Sequence, residues 1–170
     1  MHRIMGLDIG DSRIGVAVSD PTQTLASPLK TIIRKDDESA VLEITALLKQ
    51  YDIGRLVIGL PYLLDGSVGE QAYKVMEFTD KIRGQTAVET VMQDERLTSV
   101  TAGQKLREGG KKLRGKIDAA ATGRKFRDAR KKRERLRKEI DAAAATVILQ
   151  AYLDEIAVGS QISQQTSPSL

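Results

Sequence analysis

A mixed five-stranded β-sheet with helices on both faces is the architecture this 170-residue sequence predicts. Three observations lead there. Two β-rich runs at the start are joined by a tight turn. The apolar runs that follow alternate with segments of helical period. The last of those segments is a long apolar helix. Strands joined by tight turns pair antiparallel, and strands joined through helices pair parallel. The length suits a single domain with a real core.

Residues 3–9 and 13–19 flank Gly10, Asp11 and Ser12, a hairpin signal. Pro21 and Pro28 mark turns before a third strand, "LKTIIR" at 29–34. Over 37–50, Val41, Ile44, Leu47 and Leu48 recur at helical spacing. "RLVIGL" at 55–60 is continuously apolar, as a strand buried on both faces is, and Pro61 closes it. A helix is expected over 67–83, with Val68, Ala72, Val75, Met76 and Thr79 on its inner face. "VETVMQ" at 88–93 is the fifth strand, and 98–108 has helical character. "IDAAAATVILQAYLDEIA" at 140–157 is a helix that Gly159 should stop, and the Ser/Gln-rich remainder should be disordered. The expected organisation is one domain over 1–158, a basic helical insert at about 108–138, and a tail over 159–170.

Composition removes whole classes of chemistry. The chain has no cysteine, and its single histidine is His2, at the terminus. Disulfides, thiolate metal sites, thiol nucleophiles and histidine-based triads are thereby set aside. Any catalysis must run on carboxylates, lysines, hydroxyls or metal. No long uncharged apolar run or leader is evident, so a cytoplasmic protein without a membrane partner is expected. The net charge of +4 is unevenly spread: residues 105–139 hold 16 Lys/Arg against 5 Asp/Glu, and the rest of the chain holds 11 against 18. An acidic body with one basic segment points to a polyanionic partner, nucleic acid first. A solvated basic hairpin, with Glu134 and Lys138 paired at i,i+4, is the plainer alternative.

Against that background the carboxylate in "IMGLDIGDSRIGVAVSD" stands out. Alternation puts Asp8 on the face of Gly6 and Gly10, with Met5, Leu7 and Ile9 opposite. Two glycines leave open space over the strand, although Asp8 could equally anchor the next turn. "QDERLTS" puts Asp94 and Glu95 at the end of the last strand, where α/β sites gather; Asp94 or Ser99 could also cap a helix. Asp141 shares a helical face with Ala144, Ala145, Ile148 and Tyr152, and it could instead serve the first-turn dipole. Two carboxylates about 4 Å apart repel by roughly 4 kcal/mol at an effective dielectric of about 20. Three in one pocket would carry raised pKa values or bind hard divalent cations, Mg²⁺ or Mn²⁺. Such cations can stabilise the attacking water and leaving oxygen of a phosphodiester without histidine.

The stretches "GLDIGDSRIGVAVSD", "VIGLPYLLDGSVGEQA", "DERLTS" and "IDAAAATVILQAYLD" resemble the YqgF family, also called RuvX or the Holliday-junction-resolvase-like family, described as pre-16S rRNA nucleases. The resemblance implies a ribonuclease H-like fold and an acidic triad on Asp8, Glu95 and Asp141. It also implies trimming of the 5′ end of the small-subunit ribosomal RNA precursor. On this reading Asp8, Glu95 and Asp141 hold Mg²⁺ or Mn²⁺. Ser12, Arg13, Arg96, Lys131, Lys132 and Arg133 meet the RNA, pre-16S rRNA or the ribosome precursor that carries it. The alternatives are a non-catalytic RNA-binding assembly factor and a DNA Holliday-junction resolvase, which would act as a dimer.

Two departures accompany the resemblance. Leu63 stands where the family usually has a polar residue before the Asp65–Gly66 turn. The stretch before the last helix is long, and "KIDAAATG" at 116–123 nearly repeats "EIDAAAAT" at 139–146. Asp118 is therefore a rival to Asp141, although the apolar run after Asp141 is missing after Asp118. "GKKLRGKI" at 110–117 falls short of a phosphate loop, because Ile117 replaces the required hydroxyl. "DIGDSRIG" looks like the first phosphate loop of actin-like ATPases, but those need two domains to enclose a nucleotide. "GSVG" at 66–69 is no nucleophile elbow, and Ser67 has no base.

Overall fold

The structure is a computed structural model that describes residues 2–96 and 126–165, with side chains over 2–96 and 132–159. Five strands form one sheet: β1 (Arg3–Ile9), β2 (Arg13–Ser19), β3 (Ala26–Ile33), β4 (Ile53–Leu60) and β5 (Glu89–Asp94). Three helices accompany them among the described residues: α1 (Asp37–Gln50), α2 (Glu70–Arg83) and α3 (Phe126–Gln165). Spatial order is β3-β2-β1-β4-β5. The first two pairings, β1 with β2 and β2 with β3, are antiparallel; β4 joins β1, and β5 joins β4, in parallel. This is the predicted mixed sheet, and it follows from the connections, a tight turn before β2 and a helix before each parallel strand.

Strand parity divides the core in two. Met5, Leu7 and Ile9 face α1 and α2, packing with Ile44, Leu48, Phe78 and Ile82. Ile4, Ala17 and Val57 face the other way, onto Ala145, Ile148, Leu149 and Leu153 of α3. The start of α1 is set by Asp36, whose carboxylate accepts the Ser39 amide at 2.7 Å, with Asp37 and Glu38 in the first turn.

Several boundaries differ from the sequence expectation. Strand β3 begins at Ala26 and carries Pro28 within it, because β3 is the sheet edge and a register shift of β2 at Val16/Ala17 lies beside it. Helix α2 buries Phe78 and Ile82 with Ala72, Val75 and Thr79, while Val68 and Met76 are exposed. Helix α3 starts well before Asp141, so Asp141 lies mid-helix rather than in a first turn. It also passes through Gly159 to Gln165, since one glycine costs a helix only about 1 kcal/mol. The expected helix over 98–108, Asp118, most of the basic insert and residues 166–170 lie outside the described residues. By length and composition Lys132–Gly159 would pass for a membrane span; here Ala142, Ala145, Ile148, Leu149, Tyr152 and Leu153 bury one side of it on the sheet.

Candidate active site

The α3 face of the sheet carries a row of glycines at the end where β1 finishes. Gly15 is the antiparallel partner of Asp8. Gly59 follows Ile58, the parallel partner of Leu7, and so stands level with Asp8 on its other side. Asp8 is thus flanked by two residues without side chains, on the face it shares with Gly6.

The missing side chains let α3 and the segment after β5 come down onto the sheet. A Cβ on Gly15 would lie 1.9 Å from the Asp141 carbonyl oxygen, and one on Gly6 would lie 2.7 Å from Leu149 Cβ. A Cβ on Gly59 would lie 2.4 Å from Glu95 Oε1. Glu95 reaches that place because its amide donates to the Leu60 carbonyl at 3.2 Å, where β4 ends. Asp141 is therefore carried over one neighbour of Asp8 and Glu95 over the other. All three acids are half-buried. The structure brings the three predicted acids to one end of one sheet face.

The electrostatics of the three differ. Burial pushes the Asp141 carboxyl above the usual carboxylate range, partly offset by Arg13 and Arg137. Arg13, at the start of β2, stands with Nε 2.8 Å from Asp141 Oδ2. Both atoms are buried, yet their angles do not make a hydrogen bond, so the contact is one of charge rather than direction. Asp94 has a different role from the acids. It accepts the Arg96 amide at 2.9 Å and pairs with the Arg96 guanidinium at 2.7 Å, which holds its own carboxyl low. Arg96 also lies over the Tyr62 ring, 5.3 Å from its centroid, and would meet a Cβ on Gly66 at 2.9 Å. Gly66 takes a positive φ of 87°, which closes the turn after Pro61.

Carboxylate oxygens are the donors a hard divalent cation takes. The donor set fits Mg²⁺ or Mn²⁺ in kind. Among the described residues no three His, Cys, Asp or Glu groups stand close enough to hold an ion as they are. Arg13 brings positive charge to Asp141.

Of the predicted nucleic-acid contacts, Ser12 is exposed at the turn before β2, and Arg96 is exposed but clamped by Asp94. Helix α3 runs opposite to β1: Asp141 lies over Gly15, whereas Tyr152 meets Arg55 near the start of β4. The basic stretch before Asp141 therefore leaves the sheet at the acidic end. Lys132 is exposed there, Arg133 is half-buried, and Lys138 pairs with Glu134 at 3.5 Å, the i,i+4 contact of the plainer alternative. The Lys131 side chain lies outside the described residues.

Sequence reading missed the parts played by Gly15, Gly59 and Tyr62, and the Arg13–Asp141 pair. The hairpin register would have placed Gly15 opposite Asp8, and Gly59 interrupts an apolar run at the same level.

Residues 2–124 match the model of a family described as RuvX, Holliday junction resolvase. A protein of Caldanaerobacter subterraneus subsp. tengcongensis, named "Putative pre-16S rRNA nuclease", is 40% identical over 152 residues, 89% of this chain and 96% of its own. One of the same name from Clostridium acetobutylicum is 38% identical over 154 residues, 91% and 99% of the two chains. Among solved structures, a fowlpox virus resolvase in complex with Holliday junction DNA superposes with a TM-score of 0.52 at 11% identity. It covers 91% of this chain and 98% of that one. That likeness concerns the fold, which is ribonuclease H-like.

Proposed function

The chain belongs to the RuvX family, and on that premise we propose that it is a nuclease that hydrolyses phosphodiester bonds in maturing the 5′ end of pre-16S rRNA. The observation that supports the reading is that Asp8, the Asp141 turn and Glu95 lie at the same glycine-flanked end of one sheet face. The names of its relatives supply the substrate. With no cysteine and a single histidine, His2, catalysis falls to carboxylates, lysines, hydroxyls or metal, and carboxylates are what gather at this sheet end.

In this reading Asp8, Glu95 and Asp141 hold Mg²⁺ or Mn²⁺. When bound, such a cation supplies positive charge at the scissile phosphate and makes a water a better nucleophile at neutral pH. Asp8 presents its carboxylate from the central strand, while Gly15 and Gly59 let the Asp141 turn and Glu95 come down onto the sheet on either side of it. Arg96, anchored by Asp94 and Tyr62, offers a guanidinium at the rim to the RNA backbone. Ser12 and the basic start of α3, with Lys131, Lys132 and Arg133, extend that contact along the strand. The work belongs to the cytoplasm, with the ribosome precursor as the larger partner.

The test is cleavage of a 5′-extended precursor transcript with Mn²⁺ or EDTA, wild type beside Asp8→Asn. Cleavage by the wild type alone, and only with metal, is expected. Equal cleavage by Asp8→Asn would refute the reading. RNA binding without cleavage by either would favour an assembly factor. The family's description favours a second reading, resolution of DNA junctions. Symmetric nicking of a four-way junction by a dimer, with the transcript left intact, would establish it instead.

A further inference from the structure

We infer that Arg13 is a displaceable internal counter-ion: it pairs with Asp141, and yields that carboxylate to a divalent cation while turning its guanidinium to a nucleic-acid phosphate. The inference rests on the nuclease reading and adds the order in which its charges change partners.

Three features of the pair support it. The charges are close, at 2.8 Å, and both facing atoms are buried. The contact lacks hydrogen-bond geometry, so the strongest mode of guanidinium–carboxylate pairing is not in use. Both side chains nevertheless keep part of their surface in solvent, about 31% for Arg13 and 25% for Asp141, so each can be reached from outside. Arg13 also follows directly on the exposed turn at Asp11 and Ser12, which gives its side chain an open side to move into. A planar guanidinium matches two phosphate oxygens better than it matches Asp141 Oδ2 here. A carboxylate oxygen suits a hard cation better than a misaligned N–H. Both exchanges therefore improve the match of charge and geometry, and each makes the other easier.

Two measurements decide the matter, and neither reads cleavage. The first is Mn²⁺ affinity without nucleic acid, followed by the EPR signal of free Mn²⁺. Arg13→Gln removes the competing charge and should bind Mn²⁺ about tenfold more tightly than wild type. Arg13→Lys keeps the charge and should stay nearer wild type. The second is affinity for a single-stranded RNA oligonucleotide in EDTA. Asp141→Asn frees Arg13 and should tighten binding several-fold, and the double variant Arg13→Gln/Asp141→Asn should lose that gain. Circular dichroism checks that each variant is folded, and the Asp141→Asn arm stands even where Arg13→Gln does not fold. Unchanged or weaker Mn²⁺ binding by a folded Arg13→Gln overturns the inference and leaves the nuclease reading intact. Unchanged RNA binding by Asp141→Asn likewise overturns it alone. Failure of the wild type and both Arg13 variants to bind Mn²⁺ overturns both.

Discussion

Substituting Gly15 by alanine puts the glycine floor to a quantitative test. The new Cβ would lie 1.9 Å from the Asp141 carbonyl oxygen and 2.5 Å from its carbonyl carbon, where ordinary contact begins near 3.4 Å. Both atoms are helix backbone, so no rotamer change relieves the clash. Helix α3 must retreat by about 1.5 Å at this turn. Overpacking of this kind typically costs about 1–3 kcal/mol. For a chain of this size that lowers Tm by roughly 2–12 °C. Because the displaced turn carries Asp141, cleavage should fall further than stability does, and a misplacement near 1 Å can cost about 10²-fold. Thermal unfolding by circular dichroism and single-turnover cleavage of the precursor transcript measure the two effects. Gly159→Ala, in the same helix with nothing within 4 Å of its Cβ, is the control and should gain about 0.5–1 kcal/mol with cleavage unchanged. A Gly15→Ala protein with wild-type Tm and wild-type cleavage would refute the close approach of α3 to the sheet.

Other expectations follow from the charges and contacts. Asp141 is held above the usual carboxylate range, so its ionised form is a cost to folding at pH 7 that disappears below the unfolded pKa. Asp141→Asn should therefore show a Tm at or above wild type at pH 7, a difference that closes as pH falls through the carboxylate range, together with no cleavage; a lower Tm would show the Arg13 pair to be a net stabiliser. Asp20 is lowered to about 2 by the amide of Leu25, the Thr22 hydroxyl and the Thr24 amide. Its contribution is complete above its unfolded pKa and is lost as pH falls toward 2, so urea midpoints of wild type and Asp20→Asn should differ at pH 6 and converge at pH 2. Tyr152→Phe removes the bond from Arg55 to the Tyr152 hydroxyl at 2.8 Å, far from the acids. It should cost about 0.5–1.5 kcal/mol by chemical denaturation and leave cleavage as it was.

The alternation of β1 alone separates Asp8 from Met5, Leu7 and Ile9, because parity in a strand is local. The wheel of α3 likewise places Asp141 with Ala145, Ile148 and Tyr152, and only Ala144 sits less deeply than expected. Relations across long separations were not legible in this way. That Glu95 lies over Gly59 depends on the register of β5 on β4, which no local pattern specifies. That Arg13 meets Asp141, 128 positions later, depends on where α3 crosses β2. The start of α3 was misplaced for a different reason. The charged residues before Ile140 carry no apolar period, so the helix there has no signal except propensity, which Arg, Lys and Glu satisfy. Spacing alone puts Met76 on the face of Ala72 and Val75, whereas Phe78 and Ile82 complete the buried face of α2.

Anomalous diffraction from crystals grown with Mn²⁺ addresses the central claim most directly. The account predicts a peak beside Asp8 at the end of β1, with carboxylate oxygens of Asp8, Glu95 and Asp141 at about 2.1 Å and Arg13 drawn away from Asp141. A peak elsewhere, or one at this end of the sheet that leaves Asp8 unbound, would contradict it.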